Sequence, residues 1–183
     1  MNAITRDPLL AIAKGLLWFL MALMLISAVT CLIAIPLLHV FRGDILIALS
    51  NEVPTLATSS FLWLATGILA ATVALVLIVF RIFQLLKSIV DTVAEGDPFV
   101  PINAARLTQM AWLTLGVQIA TFVMGAAVQA FESMAVLPPE MHHEIQVDGG
   151  LSGNGLLLML ILFILARVFR KGAAMREELE GTV

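Results

Sequence analysis

Four long apolar runs divide this chain, and the Lys and Arg residues between them fall almost entirely on one side of any membrane threaded through the runs. The runs cover about 15–41, 61–86, 107–131 and 153–170. A helix needs about 20 mostly apolar residues to cross a hydrocarbon core of about 30 Å. The first three runs exceed that length. The fourth, Leu-rich from Leu156 up to Arg167, reaches it with Gly153 to Gly155 on one side and the aliphatic stem of Arg170 on the other. A soluble amphipathic helix carries a polar face, and these runs show almost none. Composition agrees: 61% of the chain is hydrophobic and 13% charged, whereas soluble domains are about half apolar and about a quarter charged. The expected fold is an all-α integral membrane protein, one domain over 1–183 with four transmembrane helices. No connection is long enough to bury the core of a soluble domain.

Positively charged residues favour the cytoplasmic side. Nine of the ten basic residues lie in the leading segment (Arg6, Lys14), the second connection (Arg81, Lys87, Arg106) or the C-terminal segment (Arg167, Arg170, Lys171, Arg176). Arg42 alone belongs to the first connection, and the third holds Glu132, Glu140, Glu144 and Asp148. This predicts an N-in/C-in topology. The outer loops are 42–60 and 132–152, the cytoplasmic loop is 87–106 and the cytoplasmic tail is 171–183. The first run exceeds a signal-peptide core and lacks a small-residue cleavage site, so it is expected to be retained. The net charge of −3 gives no indication of direct nucleic-acid binding.

Local signals refine this plan. Pro36 predicts a kink or early end to the first helix. The first outer loop is partly apolar and suits a short amphipathic turn on the membrane surface. Ile82, Leu85, Leu86, Ile89, Val90 and Val93 recur at helical spacing, so the second helix is expected to extend into the cytoplasm and stop at Gly96. Asp97-Pro98-Phe99-Val100-Pro101 is a stiff turn, and Asn103 is placed to cap the next helix. Gly67, Ala71 and Ala74 on the second helix suit close packing, within one bundle or across a homodimer.

Thr114, Gln118, Thr121 and Gln129 form a polar stripe on the third helix. An amide in hydrocarbon must find partners. The stripe serves either interhelical hydrogen bonding or a ligand or conduction path, and no intramembrane charge accompanies it. Glu140, His142, His143 and Glu144 in the last outer loop are candidate metal ligands, or ordinary solvated loop residues. A phosphate-binding glycine loop, a Cys pair and a nucleophile beside a histidine are all missing, so neither enzymatic activity nor a cofactor is expected.

Two stretches carry a resemblance: Gly96-Asp97-Pro98-Phe99-Val100-Pro101-Ile102-Asn103-Ala104-Ala105-Arg106-Leu107, and Arg176-Glu177-Glu178-Leu179-Glu180-Gly181-Thr182-Val183. With the four spans, they resemble the domain of unknown function 2975, a family of small bacterial inner-membrane proteins. The resemblance covers essentially the whole chain. Such proteins are often encoded beside a small helix-turn-helix regulator of the Xre/Cro type. The resemblance therefore implies a membrane protein that binds or sequesters this cytoplasmic regulator, in answer to an envelope or external signal. Both stretches lie on the predicted cytoplasmic side, which makes Gly96, Asp97, Pro98, Phe99, Asn103, Arg106 and Arg176 through Glu180 candidates for partner binding. Phe99 is either an exposed anchor or packs under the bundle, with Asn103 as cap and Arg106 at phosphate level. The competing expectation is a small transporter or efflux component that uses the stripe on the third helix.

Overall fold

The computed structural model describes residues 8–52, 59–134 and 152–180. They form five helices: α1 (Pro8–Val40), α2 (Arg42–Glu52), α3 (Ser59–Ala94), α4 (Pro101–Met134) and α5 (Gly153–Glu180). Three segments, Pro8–Val40, Ser60–Ala94 and Pro101–Gln129, are long and apolar enough to cross a membrane. At 1.5 Å per residue, α1, α3 and α4 are each about 50 Å long, well beyond a hydrocarbon core of about 30 Å. Large apolar side chains stand exposed along them, among them Phe19, Trp63 (69% exposed) and Phe122. Soluble monomers do not tolerate apolar surface on this scale, and lipid does. The chain is a helical membrane protein.

Two local expectations change. α1 does not stop at Pro36 but continues to Val40. Proline inside a helix loses one backbone bond, a loss that transmembrane helices tolerate. The first connection is not a loop throughout: α2 occupies Arg42–Glu52, with Asp44 in its first turn, where a carboxylate favours the helix N-terminus. Phe41 N–H donates to Leu37 O (2.9 Å) and Ile45 N–H to Phe41 O (3.0 Å), so helical bonding persists across the junction between α1 and α2.

Packing divides the chain into two units. The first comprises Met1–Leu25, Ile78–Gln118 and Ser152–Val183. Its core joins Leu85 and Ile89 of α3, Leu107, Met110 and Ala111 of α4, and Leu162 and Ala166 of α5. Ala111 and Ala166 are small enough to let the helix backbones come close. α1 joins through buried Leu17 and Met21 and through Lys14, whose Nζ lies 2.6 Å from Asp91 Oδ1. Lys87 reaches the same carboxylate at 3.0 Å. Within this unit, the start of α1, the turn between α3 and α4, and the last turns of α5 lie together at one end.

The second unit comprises Ile26–Leu77 and Ile119–Leu151, with Ala28, Leu62, Val73 and Val128 buried. Here His39 Nε2 lies 3.0 Å from Thr66 Oγ1, and its ring meets Trp63 at 5.4 Å between centroids. The Thr66 hydroxyl donates to Leu62 O at 2.8 Å.

In the first unit, Gln118 links α4 to the start of α5. Its Oε1 accepts the Ser152 N–H at 2.9 Å. The amide fills the space beside Gly155, where an added Cβ would lie 1.6 Å from Gln118 Nε2. Gly155→Ala should therefore push Gln118 aside and break its bond to Ser152, lowering stability by about 1–2 kcal/mol. The same substitution in a Gln118→Ala background should cost less than about 0.5 kcal/mol. Unfolding in mixed detergent micelles measures both, and equal costs in the two backgrounds would refute the coupling.

Candidate functional site

The turn between α3 and α4 is closed by backbone geometry. α3 ends at Ala94, and Gly96 has φ +87°, a left-handed conformation that glycine adopts without strain. Gly96 N–H donates to Val93 O (3.1 Å) and Asp97 N–H to Thr92 O (3.1 Å), the paired bonds of a Schellman motif. Pro101 then opens α4, where its missing N–H costs nothing.

Asn103 is not the cap of α4. It lies inside the first turn and is fully buried, with 0% exposure. Its Nδ2 donates to Thr92 Oγ1 (2.7 Å) and to Pro98 O (2.9 Å), which uses both amide hydrogens. Its Oδ1 accepts from Arg106 Nη1 at 2.8 Å. Arg106 Nη1 also donates to Ser88 O (3.1 Å), and the Thr92 hydroxyl donates to Ile89 O (2.8 Å). One carboxamide thus ties the end of α3, the turn and the start of α4 into a satisfied network. Such networks are costly to break because each orphaned group stays buried.

α5 grips this turn from the side. The Phe99 ring packs on Phe169 at 5.4 Å between centroids. Gly172 leaves room for it: an added Cβ would lie 2.7 Å from Phe99 Cδ1. Arg176 pairs with Asp97, both side chains being partly exposed. An exposed ion pair contributes about 0–1 kcal/mol, whereas an aromatic pair adds about 0.5–1.5 kcal/mol beyond its burial. Phe99 is therefore the stronger of the two ties. It remains 41% exposed, so it packs on α5 and faces outward at the same time.

The two candidate stretches thus form one surface. Asp97 and Phe99 of the turn line a small cleft with Arg176 and Glu177 of α5, and Asp97 pairs with Arg176, while Gly96, Pro98, Asn103 and Arg106 belong to the same turn and the start of α4. Glu178 and Leu179 are exposed on the same tail. A shallow groove of about 330 Å³ lies beside them. Pro101, Ala104 and Ala105 of α4 face Ala173 and Ala174 of α5 across it, and Arg170 and Glu177 form its rim. Asn103 and Gly96 support this surface from beneath or within the turn.

On the stripe, Thr114 is buried and donates to Met110 O (2.9 Å), Gln118 is 9% exposed and bonds Ser152, Thr121 is half-buried and Gln129 is exposed. Glu140, His142, His143 and Glu144 lie outside the described residues. Among the described residues, no group of three or more His, Cys, Asp or Glu side chains could hold a metal ion. Sequence reasoning missed the Lys14–Asp91–Lys87 cluster and the pairing of His39 with Thr66. Only the helical spacing of Lys87 and Asp91 hinted at the first.

The family described as "Protein of unknown function (DUF2975)" matches residues 44–183. The chain belongs to this family. No curated protein matches it, and neither does any solved structure.

Removing the Asn103 side chain leaves Pro98 O and an Arg106 N–H without their partner. Asn103→Ala should cost about 2–4 kcal/mol of stability in detergent. Asp97→Asn should cost under about 1 kcal/mol. Equilibrium unfolding of the two variants tests this ranking, and a reversed order would refute it.

Proposed function

We propose that this chain is a non-enzymatic, four-span protein of the bacterial inner membrane, with both ends in the cytoplasm, that binds or sequesters a cytoplasmic helix-turn-helix regulator. The supporting observation is the joint surface made by the α3–α4 turn and the α5 tail. Phe99, Ile102, Met175 and Leu179 stand exposed at this end. Lipid accounts for exposed apolar side chains along the spans, but not for those beyond them. A groove lined by Ala between two helix ends suits the edge of an apolar helix. Exposed aromatic and aliphatic side chains within a charged rim are the usual anchors of such contacts.

The topology has its own support. Lys14 meets Asp91, and Arg176 meets Asp97, so the starting segment, the turn and the tail share one end of the first unit. An even number of crossings brings both ends of a chain to the same side. The Leu-rich part of α5 then serves as the fourth span, and the shared end is the basic, cytoplasmic one. The regulator as partner follows from the family resemblance. Gln118 is engaged by Ser152, which favours structural bonding over a conduction path for the stripe.

Affinity purification of tagged full-length protein from native membranes should bring down a helix-turn-helix protein. Ile102→Asp or Leu179→Asp should reduce that recovery about tenfold or more, while Gln118→Leu leaves it unchanged. Full recovery with both surface variants would refute the site. Separately, alkaline phosphatase inserted in the 132–152 loop should be active and a fusion after Val183 inactive, and the opposite pattern would refute the topology.

A further inference from the structure

We propose that a groove between α1 and α3, at the basic end of the first unit, binds the phosphate headgroup and adjoining acyl chain of an anionic phospholipid. This goes beyond the partner-binding reading and requires only that the helices lie in a bilayer. The groove measures about 450 Å³. Trp18 and Met21 of α1 and Phe80 of α3 form its apolar wall, and Arg81, Gln84 and Lys87 of α3 form its polar one.

Depth comes first. α3 carries no charge from Phe61 to Phe80 and meets its first at Arg81. That uncharged stretch is about 30 Å of helix, the thickness of the hydrocarbon core. Arg81 therefore falls at the level of the headgroups. Trp18, 62% exposed, lies against the same groove, and tryptophan favours this interfacial depth.

Charge comes second. Asp91 is the one carboxylate that contacts the cations here among the described residues, and Lys14 and Lys87 share it. Arg81 contacts Gln84 Oε1 at 3.1 Å and no carboxylate among the described residues. Three cations thus face one anion. The bond to Gln84 orients the guanidinium and leaves most of its five N–H donors for a phosphate, which it can hold through two parallel bonds. Lys87 Nζ is held 5.5 Å from the centre of the Trp18 ring. Basic pockets between membrane helices at this depth are a recurrent way to hold acidic headgroups. A zwitterionic lipid brings its own ammonium group to the excess positive charge, so the site selects an acidic lipid.

The experiment uses the full-length chain with Trp63→Phe and Trp112→Phe, so that Trp18 is the only emitter, in neutral detergent micelles. Brominated phosphatidylglycerol should quench Trp18 at about tenfold lower mole fraction than brominated phosphatidylcholine. Arg81→Gln should reduce that preference about fivefold, the effect of one cation near a lipid surface. Arg81→Lys should retain most of it, and Arg42→Gln all of it. Equal quenching by the two lipids would overturn the proposal. So would an undiminished preference in Arg81→Gln, or an equal loss in Arg42→Gln, which would reduce the effect to net charge. Displacement of the brominated lipid by equimolar glycerol 3-phosphate would show that a free phosphate, not a lipid, is the ligand.

Discussion

The Asn103 carboxamide is the contact on which the basic end of the first unit depends. A chain that turns between two membrane helices must satisfy the backbone groups that the helix ends leave open. Gly96 closes the carbonyls of α3 through its left-handed conformation. The start of α4 has Val100 before its first residue, and valine offers no side-chain acceptor. Asn103 meets a different need. It takes up the Pro98 carbonyl inside the turn, anchors to Thr92 and fixes Arg106. With both amide hydrogens and the oxygen used, the turn has a single arrangement. Phe99 is thereby held where α5 can receive it.

The rest of that end is built outward from this turn. Phe99 lies against Phe169 and the bare backbone of Gly172, so α5 passes closer to the turn than a side chain at 172 would allow. The ion pair of Asp97 with Arg176 lies further out and is partly exposed, so it sets direction more than stability. Order of burial and order of energy agree: the network of Asn103 comes first, the aromatic contact second and the ion pair third.

The apolar runs made the helices legible, because lipid imposes a length and a hydropathy that few other environments require. Gly96 was legible for a similar reason: its place after the Ile82–Val93 periodicity is a general helix stop. The role of Asn103 was not, because Asn near a helix start suits a cap equally well, and only the positions of Thr92 and Arg106 decide between the two. Of the kink or early end expected at Pro36, the early end does not occur, because the bilayer favours continuing the helix over exposing backbone. Gln118 was recognised as an amide needing a partner. That partner, Ser152, is 34 residues away and is identified by the space at Gly155, which no spacing rule reveals. The His-Glu cluster of the last outer loop lies outside the described residues.

The basic residues that suggest orientation do two kinds of work. Lys14, Lys87, Arg106 and Arg176 are used internally, against Asp91, Asn103, the Ser88 carbonyl and Asp97. Arg167, Arg170 and Lys171 border a groove along α5 with Thr108 and Phe163, and make no hydrogen bond or ion pair among the described residues. A charge needed only to orient the chain could sit anywhere in a short connection. Charges held in internal contacts keep the helices joined at the membrane edge, where apolar packing against water and against lipid changes over. Those left outward give that edge a positive rim, suited to acidic headgroups.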